Sequence, residues 1–128
     1  MESPWGHVDG TEKFAAGVIS VSTPSHGGFR VGARVGVRMS QEARERATFT
    51  WVDVGFGDPG SVYWYEEDCD WMIAAWELPE LWPQMFRYIE GVADPKAYLF
   101  EGLSYWHPGY LRAVGVEPDA AALARAGR

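Results

Sequence analysis

The fold of this chain is decided at residues 64–71, which read Trp64-Tyr65-Glu66-Glu67-Asp68-Cys69-Asp70-Trp71. Before this segment, β-branched and aromatic residues with alternating polarity predict strands. After it, the pattern becomes helical, and Pro79 should end the first helix because a residue before proline avoids the α region. Strands followed by helices predict one α+β domain over residues 1–128, a mostly antiparallel sheet with C-terminal helices packed on one face.

Local signals place the individual elements. In Phe29–Val35 apolar residues alternate with arginines, which favours a half-buried strand. Ser40 is a suitable N-cap for a short helix, and Asp94 before Pro95 is typical of the start of a longer one. The predicted strands are residues 18–23, 29–35, 48–54 and 62–65, and the predicted helices are residues 40–47, 66–78, 80–88 and 95–106. The alanine-rich residues 119–128 either form a weak helix or fray.

Composition narrows the class of protein. The chain has 128 residues, of which 47% are hydrophobic and 15% aromatic, and this argues against disorder. No apolar run reaches the roughly 20 residues of a membrane span, and the N-terminus lacks the pattern of a signal peptide. A single cysteine, Cys69, forbids an internal disulfide, so we expect a reducing, cytoplasmic location. The acidic pI of about 4.8 disfavours direct binding to nucleic acid.

The negative charge is concentrated in one part of the chain. Residues 47–86 hold eight acidic residues, no Lys or Arg, and five of the seven Trp. Since the whole chain carries −7, the rest nets +1. A local cluster of carboxylates and aromatics is typical of a docking surface or of a site prepared for chemistry.

The first functional interpretation is a protein-binding surface. On a helix that starts at Glu66, the side chains of Glu66, Asp70 and Glu77 fall within about 40° of one another and form an exposed acidic stripe. Asp68 and Cys69 should then face the interior. The predicted partner is the basic surface of another protein, attracted by charge. The predicted contact residues are Trp64, Tyr65, Glu66, Glu67, Asp70 and Glu77.

The second interpretation is a small hydrolase-like or ligand-binding site. Ser25 and His26 follow a strand and precede Gly27-Gly28, so this turn exposes an imidazole for acid–base chemistry. His26 would be the acid or base, Asp68 its orienting carboxylate, and Cys69 or Ser25 the nucleophile.

Structural roles explain the same residues equally well. Asp68 can cap backbone N–H groups of a first helical turn, and Cys69 can be a small buried hydrophobe. The imidazole of His26 can hydrogen-bond the acidic turn and lock strand to helix.

Cofactor motifs are missing from the sequence. The three histidines, His7, His26 and His107, form no pair at helical spacing, and no paired cysteines, HExxH motif or glycine-rich phosphate loop occurs. The sequence therefore predicts no cofactor and no metal centre, with a mixed site of His26 and carboxylates as the open alternative.

Three segments resemble a family of uncharacterised domains associated with phages, plasmids and other mobile elements of bacteria. They are Ser3-Pro4-Trp5-Gly6, then residues 21–28 (VSTPSHGG), then residues 64–71 (WYEEDCDW). The resemblance covers roughly residues 3 to 82, with a weaker match at residues 104–108. The resemblance implies that the gene belongs to a mobile element, and it assigns no catalytic residues. By analogy with other small acidic proteins of mobile elements, the expected function is inhibition of a host defence or nucleic-acid-binding protein.

Overall fold

A computed structural model describes residues 1–53 and 60–128. Val54, predicted to end a strand, and Asp58, one of the eight clustered acids, lie outside the described residues. None of the described helices is long and apolar enough to cross a membrane.

The architecture is a five-stranded antiparallel sheet with helices on one face, which confirms the predicted α+β fold in a single domain. The strands are β1 (Glu2–Ser3), β2 (Gly6–His7), β3 (Gly10–Ala15), β4 (Val18–Ser22), β5 (Gly27–Val31), β6 (Phe49–Asp53) and β7 (Gly60–Glu66). The strands of the main sheet run in the order β3-β4-β5-β7-β6, and a two-stranded hairpin of β1 and β2 precedes them. The helices are α1 (Ala33–Gly36), α2 (Gln41–Glu45), α3 (Trp71–Glu77), α4 (Trp82–Met85), α5 (Pro95–Trp106), α6 (Pro108–Ala113) and α7 (Ala120–Arg125), with a 3-10 turn at Pro79–Leu81.

The two faces of the sheet are covered differently. On the helical face, Val18, Phe29 and Tyr65 belong to a core that includes buried side chains of α3, α5 and α6. On the opposite face, hereafter the outer face, a smaller cluster contains Val21, Val62 and Trp64. Trp5 of the β1–β2 hairpin packs edge-on against Trp64, with ring centroids 5.8 Å apart. The hairpin therefore covers part of the outer face.

Several helix boundaries agree with the sequence signals. Ser40 caps α2 by accepting a hydrogen bond from the backbone N–H of Ala43, and Asp94 caps α5 through the N–H of Ala97. Leu78, which precedes Pro79, ends α3 as expected. The tail forms α7, in which Ala122 is fully buried.

Other boundaries differ from the prediction. The helix predicted over residues 80–88 is a 3-10 turn at Pro79–Leu81 followed by α4, which ends at Met85. The strand predicted over residues 29–35 ends at Val31, because Gly32 starts helix α1. A Cβ at Gly36 would lie 2.7 Å from the ring of Tyr63, so any larger residue here would have to displace that ring. The helix predicted from Glu66 begins at Trp71, because Glu66 is still paired with Gly28 as the last residue of β7.

Candidate functional site

The turn between β7 and α3 is organised by the carboxylate of Glu66. Its Oε2 accepts the backbone N–H of Asp68 at 2.6 Å, and its Oε1 accepts those of Cys69 and Asp70, each at 2.8 Å. Burial raises the pKa of the Glu66 carboxyl, but the backbone hydrogen bonds outweigh burial and hold that pKa below its usual value. Glu66 is therefore an anionic cap that fixes the turn.

Asp70 joins this turn to the junction of α5 and α6. Its Oδ1 lies 3.2 Å from Nε2 of His107, and both side chains are only 20% exposed. Its Oδ2 accepts the hydroxyl of Thr48 at 2.7 Å. Burial raises the pKa of Asp70, while the hydrogen bonds from His107 and Thr48 prevail and lower it. An ionised carboxylate at this position orients the imidazole.

Cys69 completes a cluster with Asp70 and His107. Its Sγ lies 3.4 Å from Oε1 of Glu66 and 3.7 Å from Oδ1 of Asp70. Burial and the hydrogen bond to the Glu66 carboxylate raise the pKa of this thiol to about 12. The thiol is thus protonated at neutral pH, which disfavours the nucleophilic role expected for it in the protein as described.

His26, predicted to act together with Asp68 and Cys69, lies beside Glu67 instead. Nδ1 of His26 lies 3.9 Å from Oε1 of Glu67, and both side chains are about half exposed. The backbone N–H of Glu67 donates to the carbonyl of Gly27 at 3.0 Å, so the two turns are adjacent. His26 makes no hydrogen bond or ion pair with Asp68 or Cys69 in the part of the chain that the structure describes.

Local contacts explain the Ser25–His26 turn. Nδ1 of His26 lies 3.0 Å from the carbonyl oxygen of Ser25, and the hydroxyl of Thr23 donates to the carbonyl of His26 at 2.6 Å. Asp68 is exposed, contrary to the inward orientation predicted for it, because Glu66 rather than Asp68 caps the turn. The contacts therefore favour a structural role for His26 within its own turn, while the hydrogen bond expected from its imidazole to the acidic turn is not seen among the described residues.

The predicted acidic stripe does not exist, because its three carboxylates bind inside the protein. The carboxylate of Glu77 accepts the backbone N–H of Ser40 at 2.6 Å and the hydroxyl of Ser40 at 2.8 Å. Glu66 caps the turn, and Asp70 binds His107. Trp64 and Tyr65, predicted to contact a partner, are 2% and 0% exposed. Of the predicted contact residues, only Glu67 is exposed.

The edge of the sheet formed by strand β6 is a second candidate site, which was not predicted from the sequence. Strand β6 exposes three large apolar side chains: Phe49 is 43% exposed, Trp51 39% and Val52 74%. Residues 47–52 carry no charge. Phe49 and Trp51 pair with Trp64 and Val62 and therefore lie on the outer face, while Val52 lies on the helical face. The outer face of this edge is therefore apolar, whereas the helical face carries Thr50 beside Val52.

A cleft of about 550 Å³ adjoins this edge on the outer face. Trp51, Val62 and Trp64 form its apolar walls, and Arg30 lies with its guanidinium 5.9 Å from the Trp64 ring centre. The indole N–H of Trp64 is buried and has no hydrogen-bond partner among residues 1–53 and 60–128. A buried donor without an acceptor is rare in proteins.

A family model described as "Domain of unknown function (DUF7007)" matches residues 1–122. The chain belongs to this family. The DUF7007 match runs from the β1–β2 hairpin into α7 and includes the Glu66 turn, His107 and strand β6. It confirms the part of the resemblance that assigned the chain to an uncharacterised domain family. No curated protein sequence matches the chain, and no solved structure does.

Both candidate sites within the DUF7007 domain contain residues that sequence reasoning did not select. His107 lies between two helices and directly before Pro108, a break at which a polar side chain is free to turn toward another element. Thr48 precedes β6 by one residue and has no sequence signal of its own. The uncharged run at residues 47–52 was a visible signal, but only the strand order shows that it forms an edge.

Proposed function

We propose that this protein is a non-enzymatic interaction module that pairs strand β6 with an extended segment of a basic partner protein. The observation that carries the proposal is the difference between the two edges of one sheet. An edge strand presents unpaired backbone N–H and C=O groups, and proteins usually protect it with charges, bulges or covering elements.

The β3 edge has all three protections. It carries Glu12 and Lys13, and its pairing with β4 shifts between Lys13 and Ala15. The carboxylate of Glu12 accepts hydrogen bonds from Gln84 and Tyr88, so the segment around α4 covers the strand. These contacts tie the β3 edge to the helical layer.

Among the described residues, the β6 edge is less protected than the β3 edge. Residues 49–52 are exposed, uncharged and paired with β7 without a register shift, and the strand's single charge is Asp53 at its end. Its cover on the outer face is an edge-on contact between the rings of Trp5 and Phe49.

A new strand added here would continue the sheet through the backbone groups of β6. Its side chains would contact Phe49 and Trp51 on the outer face and Val52 on the helical face. In strand addition of this kind, backbone hydrogen bonds supply the affinity and pockets for alternate side chains supply the specificity. The cleft beside Trp51 supplies such a pocket, large enough for an aromatic or aliphatic side chain.

Charge selects the class of partner. Residues 47–52 are neutral, whereas the whole chain carries −7. Two copies of this chain would repel each other at long range, while a basic protein would be attracted. The expected roles as a mobile-element protein and as an inhibitor of a host defence or nucleic-acid-binding protein belong to this proposal, since such targets are commonly basic.

The test uses three labelled synthetic peptides and fluorescence anisotropy. One alternates lysine and valine, the second alternates glutamate and valine, and the third is the lysine peptide with a central proline. We expect the lysine peptide to bind most tightly, because it combines strand pairing with favourable charge, and proline to abolish binding because it removes a backbone donor. Equal binding of the proline peptide would refute strand addition.

A matched pair of variants locates the contact. Val52→Asn removes apolar area from β6 without changing charge, and Val37→Asn does the same at a valine of similar exposure, 71%, outside the strand. We expect Val52→Asn to weaken the lysine peptide roughly 10-fold and Val37→Asn to leave it unchanged. Sedimentation of the protein alone tests the competing occupant, since a dimer lost in Val52→Asn would assign the edge to a second copy.

A further inference from the structure

We propose that Cys69, Asp70 and His107 form a binding site for a zinc-like divalent cation. The three residues come from two distant segments, the β7–α3 turn and the α5–α6 junction, yet their ligand atoms all lie within 4.8 Å of one another. Each side chain is half-buried, so the cluster is sheltered and still within reach of solvent.

Two of the three distances between the ligand atoms fit a tetrahedral centre. Bond lengths of about 2.0 Å to oxygen and nitrogen and about 2.3 Å to sulfur separate neighbouring N and O ligands by about 3.3 Å, and S and O ligands by about 3.5 Å. The observed distances are 3.2 Å from His107 Nε2 to Asp70 Oδ1 and 3.7 Å from Cys69 Sγ to the same oxygen. Both differ from the required edges by only a few tenths of an ångström.

The surrounding contacts hold the ligands in this arrangement. Thr48 donates to Oδ2 of Asp70, which leaves Oδ1 for the cation. Glu66 fixes the backbone of both Cys69 and Asp70 through their N–H groups. Such outer contacts orient metal ligands and tune their affinity. Because Glu66 is engaged in three backbone hydrogen bonds, the site has three protein ligands and one position open to water.

The ligand types select the cation. One thiolate, one imidazole and one carboxylate suit Zn²⁺ or Co²⁺, whereas Mg²⁺ and Ca²⁺ require oxygen ligands. On binding, the Cys69 S–H bond is replaced by a bond from sulfur to the metal, and one proton passes to solvent. The proton that His107 Nε2 directs at Asp70 moves to Nδ1 through solvent, so that the lone pair of Nε2 is available to the metal. The two anionic ligands then balance the charge of the dication.

The test is titration of the full chain with Co²⁺, followed by competition with Zn²⁺. We expect one equivalent of Co²⁺ to produce thiolate-to-cobalt charge-transfer absorption and the visible bands of a tetrahedral centre, and Zn²⁺ to displace it. Absence of these bands together with no calorimetric Zn²⁺ binding would overturn the proposal.

Variants separate this site from chance binding at surface histidines. Cys69→Ser should abolish the charge-transfer band, and His107→Gln should weaken Zn²⁺ at least about 10-fold, while His26→Gln, the exposed control, should change neither. Thr48→Val leaves all three ligands in place and should weaken Zn²⁺ roughly 10-fold. Circular dichroism checks that each variant is folded. Undiminished binding in folded Cys69→Ser, or loss of binding in His26→Gln, would place the cation elsewhere and overturn the assignment.

Discussion

Replacement of Gly28 by alanine tests the strand pairing on which the Glu66 turn depends. A Cβ at Gly28 would lie 2.3 Å from the carbonyl oxygen of Tyr65, 2.9 Å from Cα of Glu66 and 2.7 Å from the Trp5 ring. The first two contacts are with backbone of the paired strand β7, so relief requires β5 and β7 to separate. Overpacking of this kind costs about 3 kcal/mol, at the upper end of its usual range, since the backbone of β7 cannot move aside without breaking its pairing with β5.

The assay is thermal and urea denaturation followed by circular dichroism. For a chain of this length, about 3 kcal/mol lowers Tm by about 10 °C. Gly109→Ala is the matched control, because its Cβ would meet nothing within 4 Å and Gly109 lies inside α6. That substitution should raise stability by roughly 0.5–1 kcal/mol, since alanine is the better helix former.

A double variant separates the two sources of the clash. If the backbone contacts dominate, the loss of unfolding free energy in the double variant Trp5→Ala/Gly28→Ala will equal the sum of the losses in the two single variants. A loss smaller than this sum would show that the Trp5 ring is the obstacle. Unchanged stability of Gly28→Ala itself would refute the Gly28–Glu66 register, and with it the placement of the turn directly after Glu66.

Three further predictions concern the polar contacts around the turn. Glu66→Ala should lower the free energy of unfolding by roughly 1–3 kcal/mol in urea titrations, because three N–H groups lose their acceptor, whereas Glu67→Ala at an exposed site should have little effect. Because the folded-state pKa of Asp70 is lowered, its contribution to stability is fully present above its unfolded pKa of about 3.9 and is lost as pH falls through the folded value. Urea midpoints below about pH 4 should therefore fall less steeply in Asp70→Asn, and an unchanged pH profile would contradict the lowered pKa of Asp70. Tyr65→Phe should cost about 1–2 kcal/mol, since its buried hydroxyl donates to the carbonyl of Ala43 at 2.7 Å, and a loss no larger than that of the exposed Tyr88→Phe would count against this bond.

The elements with strong local signals could be predicted from sequence. Asp94-Pro95 and Ser40 determine helix starts through their own side chains, so no tertiary contact is needed to locate them. The start of α3 could not be located in this way. The acids at residues 66–68 favour a helix N-terminus, but pairing of Glu66 with Gly28 extends the strand, and this long-range contact outweighs local preference.

The candidate sites depend on tertiary contacts to a greater degree. A helical wheel assigns Asp70 and Glu77 to one face only if both residues share one helix, and Asp70 precedes α3. Their actual partners, His107 and Ser40, are separated from them by 37 residues each. Periodicity describes one element at a time, and it carries no information about such distant partners.

The two proposals meet at Thr48. Its hydroxyl donates to Asp70 and accepts the N–H of Glu66, and its backbone leads directly into Phe49 at the start of β6. A cation held by Asp70 would therefore restrain the beginning of the edge strand, and a partner paired with that strand would restrain Asp70. Coupling between two binding equilibria is reciprocal, so any factor by which Zn²⁺ tightens the lysine peptide must equal the factor by which the peptide tightens Zn²⁺.

Thr48→Val provides the decisive measurement of this coupling. It removes the hydroxyl contact and leaves the strand and the three cation ligands in place, with valine favouring the extended backbone. We expect the ratio of peptide affinities with and without Zn²⁺ to exceed one in the natural chain and to return to one in Thr48→Val. A ratio unaffected by the substitution would show that the coupling does not pass through this hydroxyl. A ratio of one in the natural chain would make the edge and the cation site independent.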